Sequence, residues 1–330
     1  MAGVRHTVLV TAVGAVIGYG VVRCLRQSGH DVRIIGTDIY PDAVGQRWCD
    51  HFGQAVPAKD PGFIDYLLEM IARFEVQLVI PGTEYEIEAL HRNREKLAQA
   101  GAVILLNRPE VIDAMHDKWK AFQFFTSAGI PTIPSRVDDD FTSAAAELGL
   151  PMLSKLRRSD AGKGMQVVRD EAEFHACRVT AGDNFMVQRI VGSDDEEFTA
   201  SVFGFGDGTA LNSPILKRRL SKAGATDKAW TMEAPELTAL IDSLTSHLRP
   251  LGPTNYQFRK DGGRYVVLEV NPRISSATSI REAFGFNEAA LSIEWFLIGN
   301  RPLQATFRSG SALRYLADAV VYDDDDPPAG

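Results

Sequence analysis

Three oxygen-bearing side chains follow a strand pattern in the last quarter of the 330-residue chain. Glu269 and Asn271 lie two positions apart in RYVVLEVNPR, so both project from one face of a strand. Gln257 precedes them on the expected partner strand, across an Asp-Gly-Gly hairpin turn. Mg²⁺ prefers oxygen ligands, so the pattern predicts a metal site formed by these three residues. Arg273 follows directly, and its guanidinium suits a phosphoryl or acyl-phosphate oxygen.

The alternative to a metal site is a surface strand with incidental polar residues. Glu269 lies within Val-Val-Leu-Glu-Val, where an unpaired carboxylate would be costly. The metal interpretation is therefore the favoured one.

A second segment that could do chemistry is KLRRSDAGKG, from Lys155 to Gly164. Lys155 ends a predicted strand, and the small residues Gly162 and Gly164 let backbone N–H groups approach phosphate oxygens. No Ser or Thr follows the Gly-Lys pair, so this is not a Walker A loop. A basic hairpin loop explains the segment equally well, and both interpretations stay open.

Three further features are ambiguous when each is taken alone. Lys118 follows Asp117 at a predicted helix start and by itself is a solvated lysine. The segment 185–191 could offer backbone groups to an adenine base, although a core strand explains it better. Glu197 begins the next strand and could accept ribose hydroxyls, or it is a solvated turn residue.

The elements that must position these residues change in type along the chain. The first third alternates short apolar runs with helical patterns, which predicts a parallel α/β sheet. A smaller α/β lobe follows, and hairpin signals after Glu197 predict an antiparallel lobe. We therefore predict an N-terminal domain at 1–112, a second domain at 113–322 with a lid at about 130–190, and an acidic, disordered tail at 323–330.

The composition of the chain argues against some classes of binding partner. The net charge of −8 argues against a nucleic-acid or anionic-membrane partner, and no apolar stretch has the length of a membrane span. The N-terminus has no signal-peptide pattern, which predicts a cytoplasmic location. The histidines and cysteines lack zinc-site spacing.

Glycines in the first domain invite a dinucleotide interpretation. Gly14, Gly18 and Gly20 are spaced Gly-x-x-x-Gly-x-Gly rather than Gly-x-Gly-x-x-Gly, and Asp38 ends the second strand. Close packing of strand against helix explains these glycines as well as a pyrophosphate would. A Tyr-x-x-x-Lys pair at 256 and 260 needs a helix to bring its two side chains together, and it lies on a predicted strand instead.

Together these segments resemble the ATP-grasp superfamily, most closely its carbamoyl-phosphate-synthetase and biotin-carboxylase branch. The resemblance covers nearly the whole chain and is most specific at Gln257 and at Glu269-Val-Asn271-Pro-Arg273. It implies an ATP-grasp fold of α/β and α+β type. The expected parts are a Rossmann-like pre-ATP-grasp domain, a small lid subdomain and a larger antiparallel-sheet lobe.

The resemblance also implies roles for individual residues. The catalytic residues would be Arg273 and Lys155, and the metal ligands Gln257, Glu269 and Asn271. The nucleotide would contact Lys118, Lys155, Gly162, Lys163, Gly164, Gln188, Arg189, Ile190, Val191 and Glu197. Substrate contacts would come from Thr83, Glu84, Ser276 and Arg281, although Thr83 and Glu84 could equally cap the next helix.

The implied cofactors are ATP and Mg²⁺, with Mn²⁺ as a substitute. In the implied reaction, a small-molecule carboxylate becomes an acyl phosphate, which an amine attacks with release of ADP and phosphate. The alternatives are a carboxylase or carbamate-forming enzyme that uses carboxyphosphate, and a non-catalytic ATP-binding protein. Similarity further suggests a homodimer. Arg157, Arg158 and Lys163 make the loop basic, which hints at an acidic or phosphorylated substrate.

Overall fold

A computed structural model of the chain describes residues 5–159, 164–193 and 195–320. Gly162, Lys163 and the predicted acidic tail at 323–330 lie outside the described residues. The described strands form three sheets of five, seven and four strands.

The first sheet is parallel, as the alternating pattern predicts, and its strand order is β3-β2-β1-β4-β5. Its strands are β1 (His6–Thr11), β2 (Val32–Asp38), β3 (His51–Gln54), β4 (Leu78–Ile80) and β5 (Val103–Ile104). The connecting helices are α1 (Val16–Arg26), α2 (Phe63–Phe74), α3 (Glu84–Arg92) and α4 (Arg94–Leu97), with a 3-10 helix at Val44–Trp48. The pattern misses β3, because HFGQ has no apolar run.

The glycines of the first domain serve packing. A Cβ on Gly18 would lie 2.1 Å from the carbonyl oxygen of Ala12, so only glycine lets α1 approach β1 this closely. The N–H of Gly14 donates to Asp38 Oδ2 at 2.7 Å. Gly18 and Asp38, on which the dinucleotide interpretation rests, are therefore used for contacts within the protein.

Two helices lead to the second sheet. They are α5 (Pro109–Met115) and α6 (Lys118–Ser127). The antiparallel lid sheet has the order β6-β9-β7-β8, with β6 (Ser135–Arg136), β7 (Met152–Leu156), β8 (Gln166–Val168) and β9 (Phe185–Arg189). Helices α7 (Phe141–Leu148) and α8 (Glu171–Ala181) cover it, and the lid encloses its own apolar cluster around Phe174.

The third sheet is antiparallel, with the order β15-β14-β10-β12-β13-β16, and β11 also pairs with β10. Its strands are β10 (Glu197–Phe205), β11 (Ala210–Asn212), β12 (Ile215–Leu220), β13 (Thr226–Met232), β14 (Leu251–Asp261), β15 (Arg264–Asn271) and β16 (Ser311–Leu313). The associated helices are α9 (Pro235–Leu248), α10 (Thr278–Ala283) and α11 (Glu288–Ile293), with a π-helix at Glu294–Ile298. The sequence pattern misses β13, β16 and α10.

The N-terminal domain and the large lobe share a core. Ile274, Ala289 and Ile293 pack into the cluster that contains Val8 and Val21 of the first sheet. The domain limits at residues 112 and 322 remain a prediction. Among the described residues, none of the helices combines the length and apolar character that crossing a membrane requires.

Candidate functional site

A cleft of about 1310 Å³ is bordered by residues from the lid sheet, the large-lobe sheet and the helices and loops of the first domain. The predicted site residues that line it are Thr83, Glu84, Lys118, Lys155, Gln188, Arg189, Ile190, Val191, Glu197, Gln257, Glu269, Asn271, Arg273 and Ser276. Residues far apart in sequence therefore meet around one space large enough for a nucleotide and a second ligand.

The predicted metal ligands lie on two neighbouring strands of the large lobe. Gln257 is paired in register with Glu269 across β14 and β15, and Asn255 is paired with Asn271. Residues that oppose each other in an antiparallel pair project to the same face, as do residues two positions apart. We call Gln257, Glu269 and Asn271 the oxygen face.

The oxygen face has the chemistry that a hard cation requires. One carboxylate and two amide groups supply side-chain oxygens, which suits Mg²⁺. Gln257 Oε1 accepts from Arg218 Nη2 at 2.8 Å, and Asn271 Oδ1 accepts from Arg273 Nη2 at 3.3 Å. Asn255 Nδ2 is buried beside this face without a hydrogen-bond partner among the described residues. The residues present fit a bound metal and a ligand oxygen.

Lys155 reaches the cleft from the end of β7 and is held by an amide. Its Nζ donates to Gln188 Oε1 at 2.6 Å, and Gln188 Nε2 donates to Ser135 Oγ at 3.0 Å. The pKa of Lys155 is lowered to about 8, mainly by burial; the charge of Glu269 opposes this shift and the charge of Lys118 adds to it. Lys155 is thus a buried, desolvated ammonium beside the oxygen face.

Lys118 approaches the same face from the start of α6. Its Nζ lies 3.9 Å from Glu269 Oε1 and donates to the carbonyl oxygen of Ser159 at 2.8 Å. The two lysines therefore converge on Glu269 from different elements, and the sequence separation between them gives no sign of this.

Glu197 is engaged by two arginines that the sequence analysis did not single out. Arg218 Nη2 lies 2.7 Å from Glu197 Oε1, and Arg259 Nη2 lies 3.2 Å from Oε2. Only 4% of Glu197 is exposed, so this carboxylate is paired as its burial requires. Arg259 was detectable, because it lies two positions after Gln257 and so shares its face. The ribose role of Glu197 remains a prediction.

The predicted adenine segment lies beside an apolar wall. Ile133, Val191 and Leu268 belong to one apolar cluster and line the cleft. Ile190 is partly exposed there, whereas the side chain of Arg189 donates to the carbonyl oxygen of Glu147. An apolar wall at a strand end suits a planar base, and the side chain of Gln188 is used for Lys155 instead.

At the other end of the cleft, Glu84 pairs with Arg273. Glu84 Oε2 accepts from Arg273 Nε, and His116 Nε2 lies 2.7 Å from Glu84 Oε1 without hydrogen-bond geometry. Burial alone would raise the pKa of Glu84, but Arg273 and His116 outweigh it and hold the pKa at about 2. The charge on Glu84 is therefore permanent at neutral pH.

Thr83 has a structural role in addition to its place in the cleft. Its hydroxyl accepts from the N–H of Glu86, and Glu86 bonds back, which forms a capping box at the start of α3. The helix-cap alternative therefore holds for Thr83, whereas Glu84 faces Arg273.

Two expectations about charged residues need correction. Arg281 was expected to contact substrate, but it is 0% exposed and donates to Ser275 Oγ, Thr199 Oγ1 and Asn255 Oδ1. It lies beneath the site because α10 packs against α1 of the first domain. The guanidinium of Arg157 was taken as a hint of an acidic substrate, yet it is bound to Asp117.

The loop after β7 is described only at its two ends. Arg158, Ser159 and Met165 line the cleft. Gly164 has a φ of +72° and lies against Leu156, where a Cβ would approach within 2.8 Å. Its predicted phosphate contact stays a prediction, and Gly162 and Lys163 lie outside the described residues.

The chain shows similarity to known proteins along most of its length. Residues 8–105 match the model of the PylC-like N-terminal domain. The large chain of the arginine-specific carbamoyl phosphate synthase of Geobacillus stearothermophilus is 28% identical over 197 residues, which are 56% of this chain and 19% of that protein. The chain therefore spans about a fifth of the length of this relative.

Two solved structures share the fold. The biotin carboxylase domain dimer of Hydrogenobacter thermophilus 2-oxoglutarate carboxylase, solved with MgADP, ADP and bicarbonate, matches with a TM-score of 0.75 at 17% identity. The match covers 92% of this chain and 73% of that one. N5-carboxyaminoimidazole synthetase of Staphylococcus aureus, complexed with ADP, matches with a TM-score of 0.73 at 14% identity over 94% and 82% of the two chains.

The predicted resemblance to carbamoyl phosphate synthase and biotin carboxylase is confirmed, and the chain has the ATP-grasp fold.

Proposed function

We propose that the chain binds Mg-ATP in the cleft and transfers the γ-phosphoryl group to a carboxylate, forming an acyl phosphate that an amine attacks. ADP and phosphate are the other products. One observation carries this proposal: Lys118 lies 3.9 Å from Glu269 on the oxygen face of β14 and β15, and Lys155 lies near enough for Glu269 to act on its charge. Two cations facing a set of oxygen ligands suit a polyphosphate with its metal.

The chain's own residues would act by position and charge. Lys118 and Lys155 would bind phosphate oxygens, and Arg273 would offset the charge that develops on the transferred group. Gln257, Glu269 and Asn271 would hold Mg²⁺, which would neutralise phosphate charge when bound. The apolar wall at Ile133, Val191 and Leu268 would exclude water from the base.

Gln188 is suited to this use of Lys155. Its neutral amide fixes the ammonium group at 2.6 Å without cancelling its charge, which a carboxylate at this position would do. The full positive charge of Lys155 then remains for the phosphates. Partial desolvation strengthens that interaction further.

The carboxylate and amine substrates would bind at the Arg273 end of the cleft. Arg273 is paired there with Glu84, and Thr83 and Ser276 also border this end. An anionic substrate group would take the place of the Glu84 carboxylate on Arg273. We propose small-molecule substrates, and a homodimer and a cytoplasmic location are further proposals.

A second candidate is carboxylation through carboxyphosphate. It is favoured by the related structures, one of which holds bicarbonate and another of which is named as a carboxyaminoimidazole synthetase. Bicarbonate is itself a small carboxylate, so the same residues would serve it.

The test is ADP release from Mg-ATP with a panel of amino and hydroxy acids, with and without bicarbonate. A ligase releases ADP only with the right carboxylate, and a carboxyphosphate enzyme requires bicarbonate. Binding of Mg-ATP without release under any combination would leave an ATP-binding protein and contradict the proposed activity.

A further inference from the structure

We propose that the ion pair between Asp117 and Arg157 is a positioning device that sets the spacing of Lys118 and Lys155. The inference rests on the proposed function, because it takes both lysines as phosphate ligands. Asp117 directly precedes Lys118, and Arg157 lies two residues after Lys155. The pair therefore joins the two short segments that carry the lysines.

The contact is bidentate and largely shielded from water. Arg157 Nε donates to Asp117 Oδ1 at 3.1 Å and Nη2 donates to Oδ2 at 2.7 Å. The Asp117 side chain is 3% exposed and that of Arg157 is 24% exposed. Two parallel bonds fix the angle as well as the distance between the groups, which a lysine at 157 would not do.

Asp117 also fixes the first turn of α6. Its Oδ1 accepts from the N–H groups of Trp119 and Lys120 at 3.0 and 3.3 Å. The same carboxylate therefore caps the helix that carries Lys118 and binds the arginine beyond Lys155. A shift of Arg157 would therefore move the Asp117 carboxylate and disturb the first turn of α6.

Backbone bonds connect the same two segments. The N–H of Lys118 donates to the carbonyl oxygen of Arg157 at 3.0 Å, and the N–H of Arg157 donates to that of Asn184 at 2.8 Å. Lys118 Nζ donates to the carbonyl oxygen of Ser159 at 2.8 Å. The junction is thus built from side chains and backbone together.

A fixed junction is needed because the lysines repel each other. Both are positive and both face Glu269, so without phosphate they would separate if their supports allowed it. Asp117 and Arg157 hold the supports together, so the lysines are already spaced before the nucleotide arrives. Such preorganisation lowers the cost of binding.

The test measures MgADP affinity by calorimetry in D117N, R157M and the double variant, each at a temperature where thermal denaturation shows it to be folded. D117N keeps a side-chain oxygen for the cap of α6 and removes the charge that binds Arg157, together with the 3.3 Å contact of the more exposed Arg158. We expect each single variant to weaken MgADP binding about 10- to 100-fold, the usual effect of losing a supporting partner behind a ligand. The double variant should bind MgADP no more weakly than the weaker-binding single variant, because both substitutions break the same Asp117–Arg157 pair.

R136M is the matched control. Arg136 bridges Asp138 and Glu147 on the outer side of the same lid, so its loss should leave MgADP affinity unchanged. If R157M does not fold, R157K replaces it in the test, and R157K should still bind MgADP more weakly than wild type.

Wild-type affinity in folded D117N and R157M, or losses that add in the double variant, would overturn the positioning role. K155M separates this from failure of the proposed function. If K155M loses MgADP binding while D117N and R157M keep it, only the positioning role of Asp117 and Arg157 is contradicted. If wild type does not bind MgADP, or K155M binds it as well as wild type, the proposed phosphate contact of Lys155 is contradicted. The positioning role is then contradicted as well.

Discussion

The two ends of the cleft are built in different ways. At the nucleotide end, Lys118 and Lys155 both lie near the carboxylate of Glu269, so opposite charges surround the space. At the acceptor end, Glu84 already occupies Arg273. The nucleotide end is organised to receive a ligand, whereas at the acceptor end the Glu84 carboxylate takes the place of an anionic ligand.

The difference has a consequence for substrate binding. A nucleotide adds phosphate charge between groups that repel each other, so binding relieves that repulsion. An anionic substrate at Arg273 must first displace Glu84, and this costs part of its binding energy. We therefore expect nucleotide affinity and acceptor affinity to respond to different substitutions.

The largest effect is expected for Glu269→Gln at the nucleotide end. The amide removes the only negative charge of the oxygen face, so substrate-dependent ADP release should fall about 100- to 1,000-fold with the fold intact. Steady-state ADP release measures this, and Glu236→Gln on α9 is the control. Unchanged turnover in E269Q would sink the metal assignment.

A smaller effect is expected for Glu84→Gln at the acceptor end. The amide competes less well for Arg273, so the KM of the anionic substrate should fall about tenfold, the scale of one charged hydrogen bond. MgADP affinity should stay within about twofold of wild type. Initial-rate kinetics and calorimetry measure the two quantities, with the exposed Glu95→Gln as the control. A higher KM in E84Q would instead show that Glu84 contacts the substrate.

The pH dependence of MgADP binding should come from the nucleotide end alone. Burial lowers the pKa of Lys155 to about 8, so the charged form is present below that pH and is lost above it. MgADP affinity should therefore weaken as pH rises through this value, by at most about tenfold per pH unit for one proton. Lys155→Arg keeps its charge and should flatten the profile. A profile in K155R identical to wild type would assign the titration to another group.

The smallest effect is expected for Thr83→Ala. Loss of the capping box should lower the free energy of unfolding by about 1 kcal/mol, measured by denaturant titration. If Thr83 acts only as a helix cap, the KM values will not change. A raised KM for the acceptor substrate with unchanged stability would show that Thr83 contacts the substrate.

Sequence predicted the nucleotide end better than the acceptor end for a physical reason. Glu269 and Asn271 are related by strand periodicity, and Gln257 by a hairpin, so local geometry brings them together. Glu84 and Arg273 are 189 residues apart and meet only because the large lobe packs on the first domain. No local pattern encodes that contact.

Arg281 illustrates the same limit. Its position shortly after Arg273 suggested a substrate contact, but the fold buries it beneath Asn255. Lys155 and Gln188 meet across the lid sheet through strand pairing between β7 and β9, which the sequence predicted as separate strands without their register. Most element types and the hairpin pairings were readable from the sequence, whereas the pairings of strands distant in sequence were not.

The oxygen face is tested most directly by electron paramagnetic resonance of Mn²⁺ titrated into the protein with a non-hydrolysable ATP analogue. We predict that wild type binds Mn²⁺ only together with nucleotide, and that this signal is lost in E269Q while E236Q retains it. Equal nucleotide-dependent Mn²⁺ binding in wild type and E269Q would contradict the claim that β14 and β15 hold the metal.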